Sequence, residues 1–189
     1  MPPKTKVCKE QILQCGLMLV RKKGLGALTA KQLAEKLSCS TQPIFWHYES
    51  MDALKKDIFN AALTIFGKYL RRNDPKHSPY LAIGLNYIRF AAEERELFRL
   101  LFMSDFGHID VIDARVEMDF ILGVIEDSED IPEELSQIVY QDMWLFSHGI
   151  AAMMATGTAS FTEAETETML SDVYRGLLAN LKTKNLRKE

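Results

Sequence analysis

The sequence predicts an all-α protein of about nine helices. Apolar residues recur at three- and four-residue steps along most of the 189 residues, and no stretch of useful length alternates apolar and polar residues as a strand does. Six prolines and ten glycines are few for a turn-rich β fold. With 47% hydrophobic residues, the chain is long enough to bury a core. We expect an N-terminal domain at 1–56 and a larger helical bundle at 57–189.

The first helix is expected over 7–23. Ile12 and Leu19 lie seven residues apart in this stretch and therefore share one helical face. Three basic residues precede Gly24. Cations favour the negative end of a helix and glycine suits a left-handed cap, so we expect the helix to end there.

Two short helices joined by a tight turn follow. Thr29 is a candidate N-cap for a helix over 30–36. Ser40 is expected to cap the next short helix, whose apolar residues Ile44 and Phe45 would enter the core. Two short helices in this arrangement predict a helix-turn-helix, whose second helix enters the major groove of DNA, about 12 Å wide.

The remainder of the chain is expected to form longer helices. Ser50 is a further N-cap, and Thr162 forms a possible capping box with Glu165. The expected helices cover 51–72, 79–94, 96–104, 109–127, 133–156 and a last stretch beginning after Thr162.

Charge is distributed unevenly along the chain. Residues 1–56 hold ten lysines and arginines against four acids, a net charge of +6. The remaining residues hold thirteen against twenty-two, a net charge of −9. A basic end on an acidic body favours a polyanionic partner for that end. Ordinary solvated charge is the alternative explanation.

Other function classes find little support. The four histidines are scattered, the three cysteines lack metal-ligand spacing, and no nucleotide-binding or hydrolase motif is present. We therefore expect no cofactor, no metal site and no catalysis. An enzyme is the least favoured class, after a helical ligand-binding protein without DNA function. No apolar run reaches the roughly 18 residues needed to span a bilayer, and the start lacks a signal-peptide core, so we expect no membrane partner and a cytoplasmic location.

Residues 28–54 resemble the TetR/AcrR family of transcriptional regulators. They read as L-T-x3-L-A-x5-S-x3-I-F-x-H-Y-x-S-x-D-x-L. The segment Trp-Leu-Phe-Ser-His-Gly at 144–149 also resembles a Trp/His/Gly pattern in the ligand-binding part of one branch of that family. Where the family often has glycine in the turn, this chain has Ser38. The resemblance implies a sequence-specific regulator, most often a repressor, that a small molecule releases from a palindromic operator.

The resemblance also implies which residues contact double-stranded DNA. Gln42 is the best base-reading candidate, because its amide can bond adenine bidentately. Trp46 would touch a thymine methyl or a sugar, and Tyr48 would pack in the core with its hydroxyl on a phosphate. The full expected set is Thr29, Lys31, Ser40, Thr41, Gln42, Pro43, Trp46, His47, Tyr48, Lys55 and Lys56.

For the body, the resemblance implies a small-molecule pocket among the middle helices, and a pocket of this kind is mostly apolar. The expected lining residues are Phe66, Phe102, Trp144 and His148, with plain core packing as the alternative for each. The last two long helices are expected to form the interface of a homodimer through Ala152, Ala155, Leu170, Val173, Leu177 and Leu181.

Overall fold

The computed structural model of the chain describes residues 7–105, 115–129 and 131–185. These residues form nine α-helices and one short 3-10 turn at Leu25–Ala27, with no strand among them. The helices are α1 (Lys9–Lys23), α2 (Ala30–Lys36), α3 (Gln42–His47), α4 (Met51–Leu70), α5 (Pro79–Glu93), α6 (Arg95–Phe102), α7 (Arg115–Glu129), α8 (Glu133–Thr156) and α9 (Glu163–Asn185). The predicted all-α class is therefore confirmed. The start predicted for the seventh helix, at 109, lies outside the described residues.

Side-chain caps fix the starts of several helices where the sequence predicted them. Thr29 accepts a hydrogen bond from the backbone N–H of Gln32 at 3.2 Å. The Ser50 hydroxyl accepts one from the N–H of Ala53 at 3.1 Å. The box at the start of α9 is complete, since Thr162 caps the N–H of Glu165 while that carboxylate accepts from the N–H of Thr162.

The predicted cap at Ser40 is wrong. α3 begins one residue later than expected, and its N-cap is Thr41, whose side chain makes no capping hydrogen bond. Pro43 lies in the first turn, where its missing N–H would have no helical partner in any case.

The described residues pack as two compact units. The first contains residues 7–65 and 94–105, and the second contains 66–93, 115–129 and 131–185. The expected boundary at residue 56 falls inside the first unit, because the first part of α4 and all of α6 pack with the N-terminal helices.

The first unit is built on a small apolar core. Its fully buried side chains come from α1 to α4 and from α6, and include Ile12, Leu19, Leu33, Ile44, Leu54, Ile58, Leu97, Phe98 and Leu100. Arg21 on α1 forms an ion pair with Glu94, the N-cap of α6, whose side chain is almost fully buried. A buried carboxylate needs such a partner, so this pair holds α6 against α1.

The second unit is organised around α5. This helix packs against α7, α8 and α9, and it buries side chains on most of its circumference. Such all-round burial is typical of a central helix. Asn86 is its one buried amide, and it donates to the carbonyl of Arg72 at 2.9 Å and accepts from Arg89 at 2.8 Å. Both hydrogen bonds are needed to offset its desolvation.

Candidate DNA-reading surface and ligand cavity

The turn before α3 is a Schellman motif, and it fixes the direction in which α3 leaves α2. The N–H of Cys39 donates to the carbonyl of Ala34 at 2.9 Å, and the N–H of Ser38 donates to Glu35 at 3.2 Å. Ser38 is in the left-handed region with φ 52°, the position where glycine is usual. The tight turn predicted from the sequence is thus present, with serine in a glycine position.

One side chain anchors α3 in the first unit. Ile44 is fully buried, whereas Gln42 is exposed and Phe45 and Trp46 are 48% and 70% exposed. The prediction that Phe45 enters the core is wrong, because a helix of six residues presents only one narrow face to its neighbours. An exposed aromatic pair on a short helix is unusual for a surface that meets only water.

Most of the predicted DNA-contacting residues lie at the surface of the first unit. Lys55 nevertheless already forms an ion pair, since its amino group lies 2.8 Å from the Asp52 carboxylate. One ring nitrogen of His47 lies 3.0 Å from the carbonyl oxygen of Val7. Pro43 is partly exposed, and the exposed members of the set are Thr29, Lys31, Ser40, Thr41, Gln42, Trp46, His47 and Lys56.

Tyr48 departs from the expectation. Its side chain is 4% exposed, and the hydroxyl itself is buried without a hydrogen-bond partner of good geometry in the described part of the chain. The amino group of Lys9 lies over its ring, 4.9 Å from the centroid, and forms an ion pair with Asp57 at 3.0 Å. Burial raises the pKa of the phenol above its ordinary value. The ring is therefore core, as predicted, but the hydroxyl does not reach a surface on which a phosphate could lie.

The second unit contains a cavity of about 390 Å³. This volume is in the range of small-molecule sites, and the lining is mostly apolar. Residues from α5, α7, α8 and α9 and from the loop before α5 line it: Ser78, Tyr80, Leu81, Ile83, Gly84, Tyr87, Ile121, Tyr140, Met143, Trp144, Ser147, Leu170, Ser171, Tyr174 and Arg175.

Of the four predicted ligand contacts, Trp144 lines the cavity. His148 stands behind the lining, where its Nδ1 lies 2.9 Å from the hydroxyl of Tyr87 and its ring stacks on Trp144 at 5.4 Å. Burial lowers the pKa of His148 below its ordinary value, so the neutral imidazole is favoured. His148 therefore orients a lining residue and is not itself a lining residue.

Phe66 and Phe102 do not line the cavity. Phe66 is buried and packs its ring against Tyr87 and Phe90, so it supports the lining from outside. Phe102 belongs to the first unit, where it packs on Phe98 at 4.9 Å. Both predictions relied on aromatic character alone, which core packing satisfies equally well.

The tyrosines of the cavity are the residues that the sequence analysis missed. Four of the chain's six tyrosines line it, namely Tyr80, Tyr87, Tyr140 and Tyr174. Helical spacing contains the signal, because Tyr80 and Tyr87 are seven residues apart on α5, and Tyr140 and Trp144 are four apart on α8. Burial raises the pKa of Tyr80, Tyr87 and Tyr140, so their hydroxyls stay protonated.

The predicted dimer residues separate into two groups. Ala155, Leu170 and Leu181 are buried within the second unit, and Leu170 also lines the cavity. These three are unavailable to a partner, so that part of the prediction is wrong. The other three, Ala152, Val173 and Leu177, remain at least partly exposed. α8 exposes further apolar side chains that the prediction omitted, namely Ile138, Leu145 and Met153.

Within the described part of the chain, no helix is long and apolar enough to cross a membrane. The same residues contain no group of three or more histidine, cysteine or acidic side chains placed to hold a metal ion.

The arrangement of helices is that of TetR-like transcriptional regulators. A TetR-like transcriptional regulator from Rhodococcus sp. RHA1 matches 90% of this chain and 95% of its own length, with a TM-score of 0.67 and 16% identity. A second Rhodococcus sp. RHA1 protein, of unknown function, matches 93% and 98% with a TM-score of 0.71 and 18% identity.

A TetR variant from Acinetobacter baumannii AYE, solved in complex with minocycline, matches 94% of this chain and 98% of its own, with a TM-score of 0.57 and 14% identity. No family model and no curated protein matches the sequence. The likeness to these structures establishes the TetR-like fold.

Proposed function

We propose that this chain is a sequence-specific regulator of transcription that binds a palindromic operator as a homodimer. A small molecule in the cavity of the second unit would release it from DNA. The observation that carries the proposal is the exposure of α3. A short helix held by Ile44 presents Gln42, Phe45 and Trp46 outward, next to a turn that fixes its direction. This is the arrangement required to place side chains against base edges in a major groove.

Electrostatics supports the same assignment. The first 56 residues have a net charge of +6 in a chain whose net charge is −3. Phosphate contacts release counterions and give affinity that falls steeply with salt, while base contacts give the sequence preference. We assign the first role to Lys31 and Lys56, which are exposed, and the second to Gln42 and Trp46.

A homodimer would pair two copies of α3 about 34–36 Å apart, as a palindromic site requires. We propose that the exposed faces of α8 and α9 form its interface. Ile138, Leu145 and Ala152 recur at seven-residue steps along α8, so they form one stripe. Val173 and Leu177 add exposed or partly exposed apolar area on α9. Large apolar side chains that stay exposed in a single chain favour an association surface.

The proposed coupling uses elements shared by the two units. α4 contributes Met51–Ile65 to the first unit and its last five residues to the second, and the chain crosses back between Glu93 and Glu94. An effector that favours one packing of α5 and α8 would act on the first unit through these connections. The effector would thereby lower the affinity of the chain for operator DNA. Linkage then requires operator DNA to lower the affinity for the effector by the same factor.

The direct test is selection from a random double-stranded DNA library with the full chain. We expect enrichment of an inverted repeat, with binding that weakens steeply as salt rises. A Gln42→Ala/Trp46→Ala double variant should lose the enriched sequence, while Met18→Glu, an exposed change elsewhere on the first unit, should keep it. Failure to enrich any sequence would contradict the proposal. The cavity would then favour the alternative, a ligand-binding protein without DNA function.

A further inference from the structure

We propose that the cavity in the second unit takes an uncharged molecule with flat rings and a hydrogen-bond-accepting oxygen. The inference rests on the proposed function in treating this cavity as the effector site, and it goes further by naming the chemical class. Charge, hydrogen-bonding groups and ring surfaces each contribute an independent argument.

The charge of the lining favours an uncharged ligand. Among the described lining residues there is no aspartate or glutamate, and Arg175 is the single cation. Arg175 already lies 2.5 Å from the Asp172 carboxylate, donates to the carbonyl of Ser171 at 3.2 Å, and is 74% exposed. A cationic ligand would lose its hydration and gain no opposite charge from the lining, and an anionic ligand would have to compete with Asp172 for Arg175, whose exposed side chain is already solvated.

The hydroxyl groups of the lining favour a ligand that can accept a hydrogen bond. Tyr80 and Ser147 are 8% and 5% exposed, and neither hydroxyl has a hydrogen-bond partner among the described residues. The half-buried Tyr140 hydroxyl also lacks one. These hydroxyl oxygens are not fully enclosed by protein, so they are accessible from the cavity, where the oxygen of a ligand can replace water as the acceptor of their hydrogen bonds.

The shape of the site favours flat rings. Tyr80 and Tyr174 lie with ring centroids 4.9 Å apart, and Trp144 stacks on His148 behind it. Gly84 has no side chain at the cavity wall, so Leu170 of α9 packs closely against α5 there. An added Cβ would lie only 3.1 Å from Leu170 Cδ1. Aromatic walls of this kind gain most from ring surfaces that can stack or meet edge to face.

The experiment compares four naphthalenes that share one ring system. These are 2-acetylnaphthalene, naphthalene, 2-naphthoate and 2-naphthylmethylammonium, each titrated calorimetrically into the full chain at neutral pH. We expect 2-acetylnaphthalene to bind most tightly and both ions to bind at least tenfold more weakly. If either ion binds as tightly as the ketone, or if none of the four binds, the proposed class is wrong.

Matched variants assign the effect to the cavity. Tyr80→Phe and Ser147→Ala should each weaken the ketone by about three- to tenfold while leaving naphthalene unchanged, because each removes one hydrogen bond and keeps the ring surface. Tyr69→Phe is the control, since Tyr69 donates to Glu93 and does not line the cavity. A ketone affinity that neither cavity variant changes would overturn the proposal. None of these measurements involves DNA, so failure of the proposed ligand class can be distinguished from failure of the DNA selection.

Discussion

At the scale of single residues, Ser38 shows how a local conformation is imposed by the packing around it. A non-glycine residue in the left-handed region costs about 1–2 kcal/mol, and here the Schellman hydrogen bonds and the buried Ile44 beyond them hold it there. The serine is tolerated because the turn is fixed from both sides. Replacing this serine with glycine should therefore recover the free energy that the left-handed conformation costs.

We expect Ser38→Gly to raise the free energy of unfolding by about 0.5–1 kcal/mol, the relief of strain less the entropy that glycine adds to the unfolded chain. Urea denaturation measures this. Ser40→Gly is the matched control, because Ser40 is an exposed neighbour without a positive φ and should only lose stability. A Ser38→Gly protein no more stable than the parent would show that the turn stores no strain.

His148 predicts a pH dependence of stability. Burial lowers its pKa in the folded state, so between that value and its ordinary pKa of 6.5 the unfolded chain binds more protons. Stability is then fully present above 6.5 and is lost as the pH falls through the folded pKa. We expect His148→Gln to lose less stability than the parent between pH 7.5 and pH 5.5, as measured by urea midpoints.

His47→Gln provides the control for this comparison, since the His47 side chain is exposed. It should keep the full pH dependence of the parent protein. If His148→Gln also keeps that dependence, then His148 is not the group responsible.

At the scale of elements, α3 shows what a short helix can and cannot reveal in its sequence. Ile44 and Phe45 are adjacent apolar residues, and only one of them is covered. Their periodicity is too short to define a face, and the covered side depends on how α1 packs against the helix. The N-cap likewise lies at Thr41 and not at Ser40, although serine is the better capping residue, and since the Thr41 side chain makes no capping hydrogen bond, capping propensity did not place the start of this helix.

The exposed side of α3 predicts a division between specificity and affinity. Gln42→Ala should cost about 1–3 kcal/mol on the selected DNA site and relax preference at one base pair of each half-site. Lys56→Ala should weaken binding to all sequences about equally and reduce the salt slope by about 1. Fluorescence anisotropy on specific and random duplexes separates the two effects.

Lys55→Ala is an informative companion to Lys56→Ala. Lys55 lies 2.8 Å from the Asp52 carboxylate, so its loss should change the salt slope less. Equal losses on specific and random DNA for Gln42→Ala would contradict the base-reading role assigned to it.

At the scale of the whole molecule, assembly depends on which faces of α8 and α9 remain uncovered. Leu170 and Leu181 were expected in the interface, yet they are buried in the second unit, and Leu170 also lines the cavity. On α9, these two residues are therefore used within the chain, whereas Val173 is exposed and Leu177 is partly exposed. The apolar residues left exposed lie mainly on α8, with Leu145 53% exposed.

Leu145→Glu should therefore yield monomers in sedimentation experiments, with operator affinity falling steeply. Burying an unpaired charge at an interface costs several kcal/mol, whereas in the monomer the glutamate would be solvated and the fold retained. Met18→Glu, which is also an exposed apolar-to-acid change, should stay dimeric. A Leu145→Glu protein that remains dimeric would place the interface elsewhere.

The helical class, the caps at Thr29, Ser50 and Thr162 and the tight turn before α3 were all readable from the sequence. Each depends on interactions within about one turn of helix, so a short window of residues contains the full signal. The tertiary structure alone decided that Phe45 is exposed, that the Tyr48 hydroxyl is enclosed and that the helix faces with Tyr80, Tyr87 and Tyr140 border a cavity. An apolar or aromatic side chain packs equally well into a core, a cavity wall or an interface, and only the neighbouring helices determine which of these covers it.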